Sequence, residues 1–495
     1  MLIRNARLVP VERPAPPGPV AVRVSGARVA EVAPELAAGP GEQVVDADGR
    51  WLIPGLCDAH VHFGQWARQS SRVDLAGTAD LPDALARIGT AVTAAPAGSG
   101  LLVGGGYRPA TWPQPPSVTA LDGVTGTLPV VVVSGDAHAG WLNSAALARF
   151  GLPWRDEPLV EAEWFAALPA VLAAEDAQQG PSAYAEALRA AARLGVVGVV
   201  DYEFEPTFSA WPARYAAVGV PARVRTSVYP RDLDAVIAAG LRTNDVLVRD
   251  HGEPLVRMGS LKIISDGSLN THTACCVEPY PDGGHGVQNV PPDELRELLG
   301  TASRHGLTVA LHAIGDAAVA TALDAFAATG AGGSLEHAQL MPQDGAQRMA
   351  ELRLVASVQP AHLLDDRALT EAVWGSERAS RSFPFRTLRS AGVVLALGSD
   401  APVAPLDPWL AMAAAVHRGE PDEPAWFPEQ SLLPGEALAA STAGQDTIGV
   451  GSPADLVLLD ADPLAVLPPA DAARALRRMP VAATWVAGRE LHRSL

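Results

Sequence analysis

Six positions in this chain pair a reactive side chain with the end of a short apolar run: His60 and His62 in DAHVH, Lys262 in GSLKIISDGS, His312 in VALHA, His337 in SLEHA, and Asp400 in LALGSDAP. In a strand the two histidines of His60-Val61-His62 project to one side, because side chains alternate between faces. Just past a strand end such a pair can grip one cation. Lys262 is the only lysine among the 37 Lys and Arg residues. Arginine cannot do what an uncharged lysine can, because its guanidinium stays protonated and offers only a fixed fork of donors. A neutral lysine amine can add carbon dioxide and become a carbamate, a carboxylate on a long arm able to bridge two metal ions. Between two cations, the neutral amine and then the carbamate are favoured over the ammonium.

Each residue alone has an ordinary explanation. His60 and His62 can be loop histidines. His312 can be a strand-end residue before a helix capped by Gly315 or Asp316. His337 can be a core histidine beside Glu336, Asp400 can serve a Ser-Asp-Ala-Pro turn, and Lys262 can be a chance survivor or a substrate-binding ammonium. Their common placement at the C-terminal ends of successive apolar runs is what argues for a shared site.

Those runs are GLCDAH (55–60), VVGVVD (196–201), RVRTSV (223–228), SLKIIS (260–265), LTVALH (307–312), SLEHA (334–338), LVASVQ (354–359) and VVLALGS (393–399). Helical patterns such as AYAEALRAAARLG and FRTLRSAG fall between them. Strands alternating with crossover helices imply an α/β fold with a parallel sheet, and eight strands are the number that closes a (β/α)8 TIM barrel, whose chemistry sits at the strands' C-terminal ends. The stretch between the first two runs is too long for one crossover and carries its own pattern (DLPDALARIGTAV, LLVGGG, LPVVVVSG, NSAALARFG), so 63–180 is expected to be an insertion capping the active site. Short β segments at both termini suggest a small β-sandwich domain from 1–55 and 447–495, which leaves 56–446 for the barrel.

At 495 residues the chain suits a large catalytic domain plus a smaller one. A net charge of −18, without long runs of like charge, speaks against nucleic acid or an anionic membrane as partner. Cys57, Cys275 and Cys276 make no disulfide framework, and the N-terminus has no signal-peptide pattern, so a cytoplasmic protein is expected.

PGLCDAHVH, LKIISDGSL, LHAIGD, LEHAQL and LALGSDAPVAPLDP together resemble the amidohydrolase superfamily, and more closely its YtcJ-like branch (amidohydrolase family 3), whose relatives include an N-substituted formamide deformylase. GDAHAGWLNSAAL and SVQPAHLLDD match the same branch. The resemblance implies two divalent metal ions, zinc from the nitrogen and oxygen donor set. His60, His62 and Asp400 would hold the more buried ion, His312 and His337 the more exposed one, and Lys262, carbamylated by CO2 or bicarbonate, would bridge them. It implies a catalytic role for Asp400, Lys262 and His337, and hydrolysis of a non-peptide C–N bond by a metal-activated hydroxide. It also implies a homodimer. Trp374-Gly375 departs from the branch, where a smaller apolar residue is expected before the glycine. Substrate contacts are expected from His138, Trp141 and Asn143 in the insertion and from Asp266, His272, Gln359 and His362 in barrel loops, while His251, His285, His305, His417 and His492 are expected at the surface. An ester, lactone or phosphotriester hydrolase needs the same metals. A deaminase fits less well because Lys262 has no use there, and a non-catalytic scaffold on this fold is disfavoured because every ligand position is filled.

Overall fold

The computed structural model describes residues 1–495 apart from 97–98, 108, 110–111, 136–138, 282 and 495. All eight expected runs form strands, labelled here β1 (Leu56–Val61), β2 (Val196–Asp201), β3 (Arg223–Val228), β4 (Glu253–Ile264), β5 (Val309–Ala313), β6 (Gly333–His337), β7 (Val355–Val358) and β8 (Val394–Leu397). They pair in parallel in chain order from β1 to β8. A parallel bridge between Val61 and Ala401 joins the last strand's end to the first and closes the barrel. The runs are continuously apolar because a parallel sheet is covered on both faces. Leu311, Leu335 and Val358 pack with Leu323 and Phe326 of helix Asp316–Thr329 and with Leu363 and Leu388 of later helices, in one buried cluster. Each such side chain contributes roughly 1.5–3 kcal/mol by leaving water.

One element was not expected. Val246–Asp250 pairs antiparallel with the start of β4 and turns that strand into a hairpin arm.

The terminal segments form one hydrogen-bonded eight-stranded sheet, seven strands in a continuous path and Val44–Asp46 paired beside it. Leu2–Leu8 is its pivot: its first residues pair with Val20–Ser25 and Val44–Asp46, its last two with Trp51–Pro54. Leu456–Leu459 and Val481–Val486 extend the sheet from the other end of the chain. Both halves fill one core, with Ile3, Val22, Leu52, Leu456 and Trp485 fully buried.

Gly64–Ala187 is a compact unit of its own. Its five-stranded sheet includes Leu102–Tyr107 and Val130–Ser134, and its helices include Leu81–Ala94 and Ser144–Arg149. The helix Glu161–Arg193 breaks at Gly180, where φ is 54°. Among the described residues, no helix is long and apolar enough to cross a membrane.

Candidate active site

The site is assembled where β1 meets the turn after β8. The Asp58 carboxylate accepts from the backbone N–H groups of His60 and Ser399, both at 3.0 Å, and so ties the two segments together. Asp400 N–H donates to the His60 carbonyl at 2.7 Å, and His62 N–H donates to the Ala401 carbonyl at 2.9 Å. This closeness requires Gly398, because a Cβ there would lie 2.6 Å from the His60 nitrogen. Asp400 and His337 both adopt left-handed φ, 57° and 68°. Such conformations cost on the order of 1–3 kcal/mol each in non-glycine residues and gather at functional sites.

This backbone brings the side chains together. His60 Nε2 and His62 Nε2 each lie 3.4 Å from Asp400 Oδ1. His60, His62 and Asp400 offer ligand atoms all within 4.8 Å of one another, and so do His337, His362 and Asp400. His312 stands edge-on to His337 at 4.5 Å, but its Nε2 is turned to the Gly267 carbonyl at 3.2 Å. The second group therefore draws in His362, expected from sequence as a substrate contact, ahead of His312.

The protonation states favour metal binding. His60 Nδ1–H donates to Glu336 Oε2 at 2.7 Å within a fully buried pair. Burial would raise the Glu336 carboxyl, but the hydrogen bond from His60, the nearby Lys262 and the Ser334 hydroxyl together outweigh it and hold the group below its usual range. Burial, reinforced by the charge of Lys262, lowers His60 to about 4. His60 is thus neutral, with its free lone pair on Nε2. Burial also acts on Asp400, yet the cluster of His60, His62, His337 and His362 around it holds that carboxyl well down, so it is ionised. The Nε2 lone pair and the Asp400 oxygen are then two acceptors facing each other across 3.4 Å. Such an arrangement needs a cation between them, and the donor set fits a divalent metal ion.

Lys262 completes the site from β4. It is 1% exposed, its amine has no hydrogen-bond partner, and Nζ lies 4.4 Å from the Tyr202 ring centroid. Burial lowers its pKa, and the nearby Glu336 and Asp400 offset this only in part. Tyr202 packs edge-on against His60 at 4.6 Å and donates to Glu336 Oε1 at 3.3 Å, while its carbonyl accepts from Tyr229 Oη at 2.6 Å. The Ser334 hydroxyl also donates to Glu336.

The sequence profile of the amidohydrolase family matches residues 43–492. The chain belongs to the amidohydrolase family. Within it, the chain is similar to the putative amidohydrolase YtcJ of Bacillus subtilis, with 33% identity over 43% of this chain and 44% of that protein. It is similar to the N-substituted formamide deformylase of Arthrobacter pascens, with 27% identity over 94% of each. Among solved structures it resembles an uncharacterized metal-dependent hydrolase from Pyrococcus horikoshii, with a TM-score of 0.77, 25% identity, and coverage of 94% of this chain and 98% of that one. This amidohydrolase is accordingly a metal-dependent hydrolase.

Several expected substrate contacts have structural work instead. In this amidohydrolase, Trp141 is fully buried in the insertion's core, 5.8 Å from the Tyr107 ring, and its Nε1–H donates to the Ser117 carbonyl at 2.9 Å. Asn143 is also fully buried: its oxygen accepts from Val130 N–H and, as a helix cap, from Ala146 N–H, and its amide donates to Thr125 Oγ1 and the Leu128 carbonyl. Asp266 is fully buried and accepts from the N–H groups of Cys275, Ile314 and Gly315, so it clamps two loops. His272 stacks on Tyr280 at 5.0 Å. His138 lies outside the described residues. Gln359 is 2% exposed, with a carboxamide oxygen that has no partner, and remains a candidate contact beside His362.

His417 is not at the surface. It is buried, with Nε2 within reach of the Glu420 and Glu423 carbonyls at 3.2 and 3.0 Å. Trp374 fills a loop cluster with Leu269, Tyr280 and Leu340, ahead of a helix kink at Gly375.

Sequence reasoning missed the roles of Asp58, Tyr202 and Phe204 and saw Glu336 only as a neighbour of His337. Asp58 was findable, since it falls two residues before His60 and therefore on the same side of β1. Nothing local marked Tyr202 or Phe204, which reach the site because β2 lies beside β1.

Proposed function

We propose that this protein hydrolyses a non-peptide carbon–nitrogen bond, in an N-formyl or N-acyl amine or a cyclic amide. The observation that carries this reading is the buried, unpartnered amine of Lys262 beside an unprotonated imidazole face and an ionised carboxylate. In this reading His60, His62 and Asp400 hold one zinc ion. His337, with His312 or His362, would hold a second. Lys262 would serve both as a carbamate, its nitrogen bonding to the carbon of CO2 and its released proton going to solvent. When bound, the ions supply Lewis acidity that makes water ionisable near neutrality and polarises a carbonyl oxygen.

The chain's own residues do the rest. Glu336 holds the His60 tautomer, with Tyr202 and Ser334 fixing the carboxylate in turn. Asp400, ionised and touching both imidazoles of β1, takes a proton from the attacking water and returns it to the leaving amine. Phe204 stacks on His62 at 5.0 Å and is 45% exposed, a shelf for an apolar N-substituent. The likeness to a formamide deformylase along nearly the whole chain supports the amide over the ester. Unpaired Cys57, Cys275 and Cys276 support a reducing, cytoplasmic setting, and a homodimer with a small-molecule substrate completes the proposal.

The test is purification with zinc and bicarbonate, metal analysis, and a panel of N-formyl and N-acyl amines, lactones and aryl esters. About two ions per chain and turnover highest on formamides or amides are expected. A metal-free protein, or one that cleaves only esters or lactones, refutes the reading.

A further inference from the structure

The starts of the barrel strands carry a feature that hydrolysis does not use. Because the strands are parallel, the first residues of β1 to β4 lie at the end of the barrel opposite His60, Lys262 and Asp400. There a cavity of about 150 Å³ is lined by Cys57, Arg223, Arg225, Arg257 and Asp455 together with strand backbone. Arg225 and Arg257 are register partners on β3 and β4. Arg249 joins them from the strand that pairs with β4. Like charges directly opposite each other on neighbouring strands repel. The crowding is visible on Arg257, whose pKa is lowered by burial and then by Arg225, Arg249 and Arg223.

The nearby acids are engaged elsewhere. Asp455 receives Arg223 Nε at 2.8 Å and Nη2 at 3.1 Å, and also Ala487 N–H at 2.7 Å. Glu253 lies 3.5 Å from Arg223, and Asp250 is taken by Tyr215 Oη and Arg489. Arg257 and Arg249 donate only to carbonyls, those of Asn244 and Gly252. Among the described residues, no carboxylate pairs with Arg225, Arg249 or Arg257. This is a local excess of positive charge in a chain whose net charge is −18. Arg225 is exposed and Arg257 half-buried, and both line the recess.

We propose that this recess is a second, non-catalytic site that binds a small oxyanion of the phosphate class between Arg225 and Arg257. The guanidinium fork matches phosphate geometry, and Arg223, anchored by Asp455, fixes the wall behind it. The volume suits a single small anion and falls below the roughly 300–1,000 Å³ of sites for larger organic ligands. Because Asp455 directly precedes the terminal-sheet strand Leu456–Leu459, the anion would be held where the barrel meets that sheet.

The test titrates inorganic phosphate into the full-length, metal-loaded enzyme at constant ionic strength, with chloride and acetate as controls, and follows Tm and calorimetric binding. The comparison is with Arg225→Gln/Arg257→Gln, and with Arg225→Gln alone should the double variant fail to fold. Phosphate that reaches the metal ions would act equally on all three proteins, so only the arginine-dependent part counts. In phosphate-free buffer the variants should match the wild-type turnover and unfold at the same or a higher temperature, because a repulsion is gone. Arginine-dependent phosphate binding should weaken at least tenfold. An unchanged phosphate response in the variants, no arginine-dependent response in the wild type, or an equal response to acetate would overturn the proposal.

Discussion

Replacing Lys262 by methionine separates a metal-bridging lysine from a buried bystander, because the two roles predict opposite signs for stability and metal content. Methionine nearly matches the lysine stem in length and has no charge. The Lys262 amine is 1% exposed and without a hydrogen-bond partner. An unsatisfied buried polar group costs about 1–3 kcal/mol, so Lys262→Met should leave the metal-stripped protein as stable as wild type or about 1–2 kcal/mol more so. The metal-loaded protein should behave in the reverse way. Burial lowers the pKa of the amine, and each such tenfold shift in acidity multiplies the neutral, carbon-dioxide-reactive fraction tenfold at a fixed pH. The fold thus prepares the amine for carbamylation, and the variant loses that anionic ligand outright. Metal analysis after dialysis should show the second ion lost, and turnover should fall at least 100-fold, or about 2.7 kcal/mol of transition-state stabilisation. In the wild type, carbon-13 bicarbonate should give a carbamate resonance that is absent from the variant. If Lys262→Met keeps two ions per chain and turns over normally, the bridging role is wrong, whatever the stability result.

Three further outcomes follow from the same geometry. Glu336→Gln removes the charge that holds His60 Nδ1–H; zinc affinity measured by chelator competition should drop about 10–100-fold with Tm nearly unchanged, and unaltered affinity would show that His60 needs no partner. Asp400→Asn keeps an oxygen ligand but loses the proton acceptor, so kcat should fall about 100–10,000-fold while much of the metal stays; unchanged turnover would remove Asp400 from the reaction. Burial raises the Asp58 carboxyl to about 6 from its usual 3.8, so its stabilising contribution is fully present below 3.8 and lost as pH rises through 6. Asp58→Asn keeps an acceptor for both N–H groups, and denaturant unfolding of the metal-free protein should show no gain at pH 3.5 and up to about 3 kcal/mol at pH 8; a gain that does not grow with pH would refute the assignment.

The barrel was legible because its strands are short apolar runs that end in polar residues, and the parallel arrangement turns those ends into one face. That inference needs only residue type and order. It reached His60, His62, Lys262, His337 and Asp400, which the fold does bring together. It failed where direction decided the matter. Trp141 and Asn143 follow a histidine in HAGWLN and look like pocket residues, yet Asn143 directly precedes the helix Ser144–Arg149, and its cap hydrogen bonds use up its polar atoms. Asp266 lies four residues after Lys262, but its oxygens turn to backbone N–H groups that arrive from β5 and the 275 loop, partners that exist only after closure. His362 was expected among the substrate contacts, and its place beside His337 and Asp400 depends on the turn after β7.

The strain at His337 and Asp400 has a consequence for how the site works. Left-handed φ at two non-glycine residues raises the energy of the folded state, and the structure tolerates it because hydrogen bonds fix both neighbourhoods: Asp400 N–H to His60, Ala338 N–H to Glu336, and Asp58 across β1 and the turn after β8. These bonds come from the barrel backbone and from carboxylates behind the ligands. The ligand atoms are therefore held close together by parts of the molecule that contact neither metal nor substrate. The repulsion between the His60 lone pair and the Asp400 carboxylate is maintained by the same scaffold. A cation that enters relieves that repulsion without first having to reorganise the backbone, so its binding energy is not consumed in building the site.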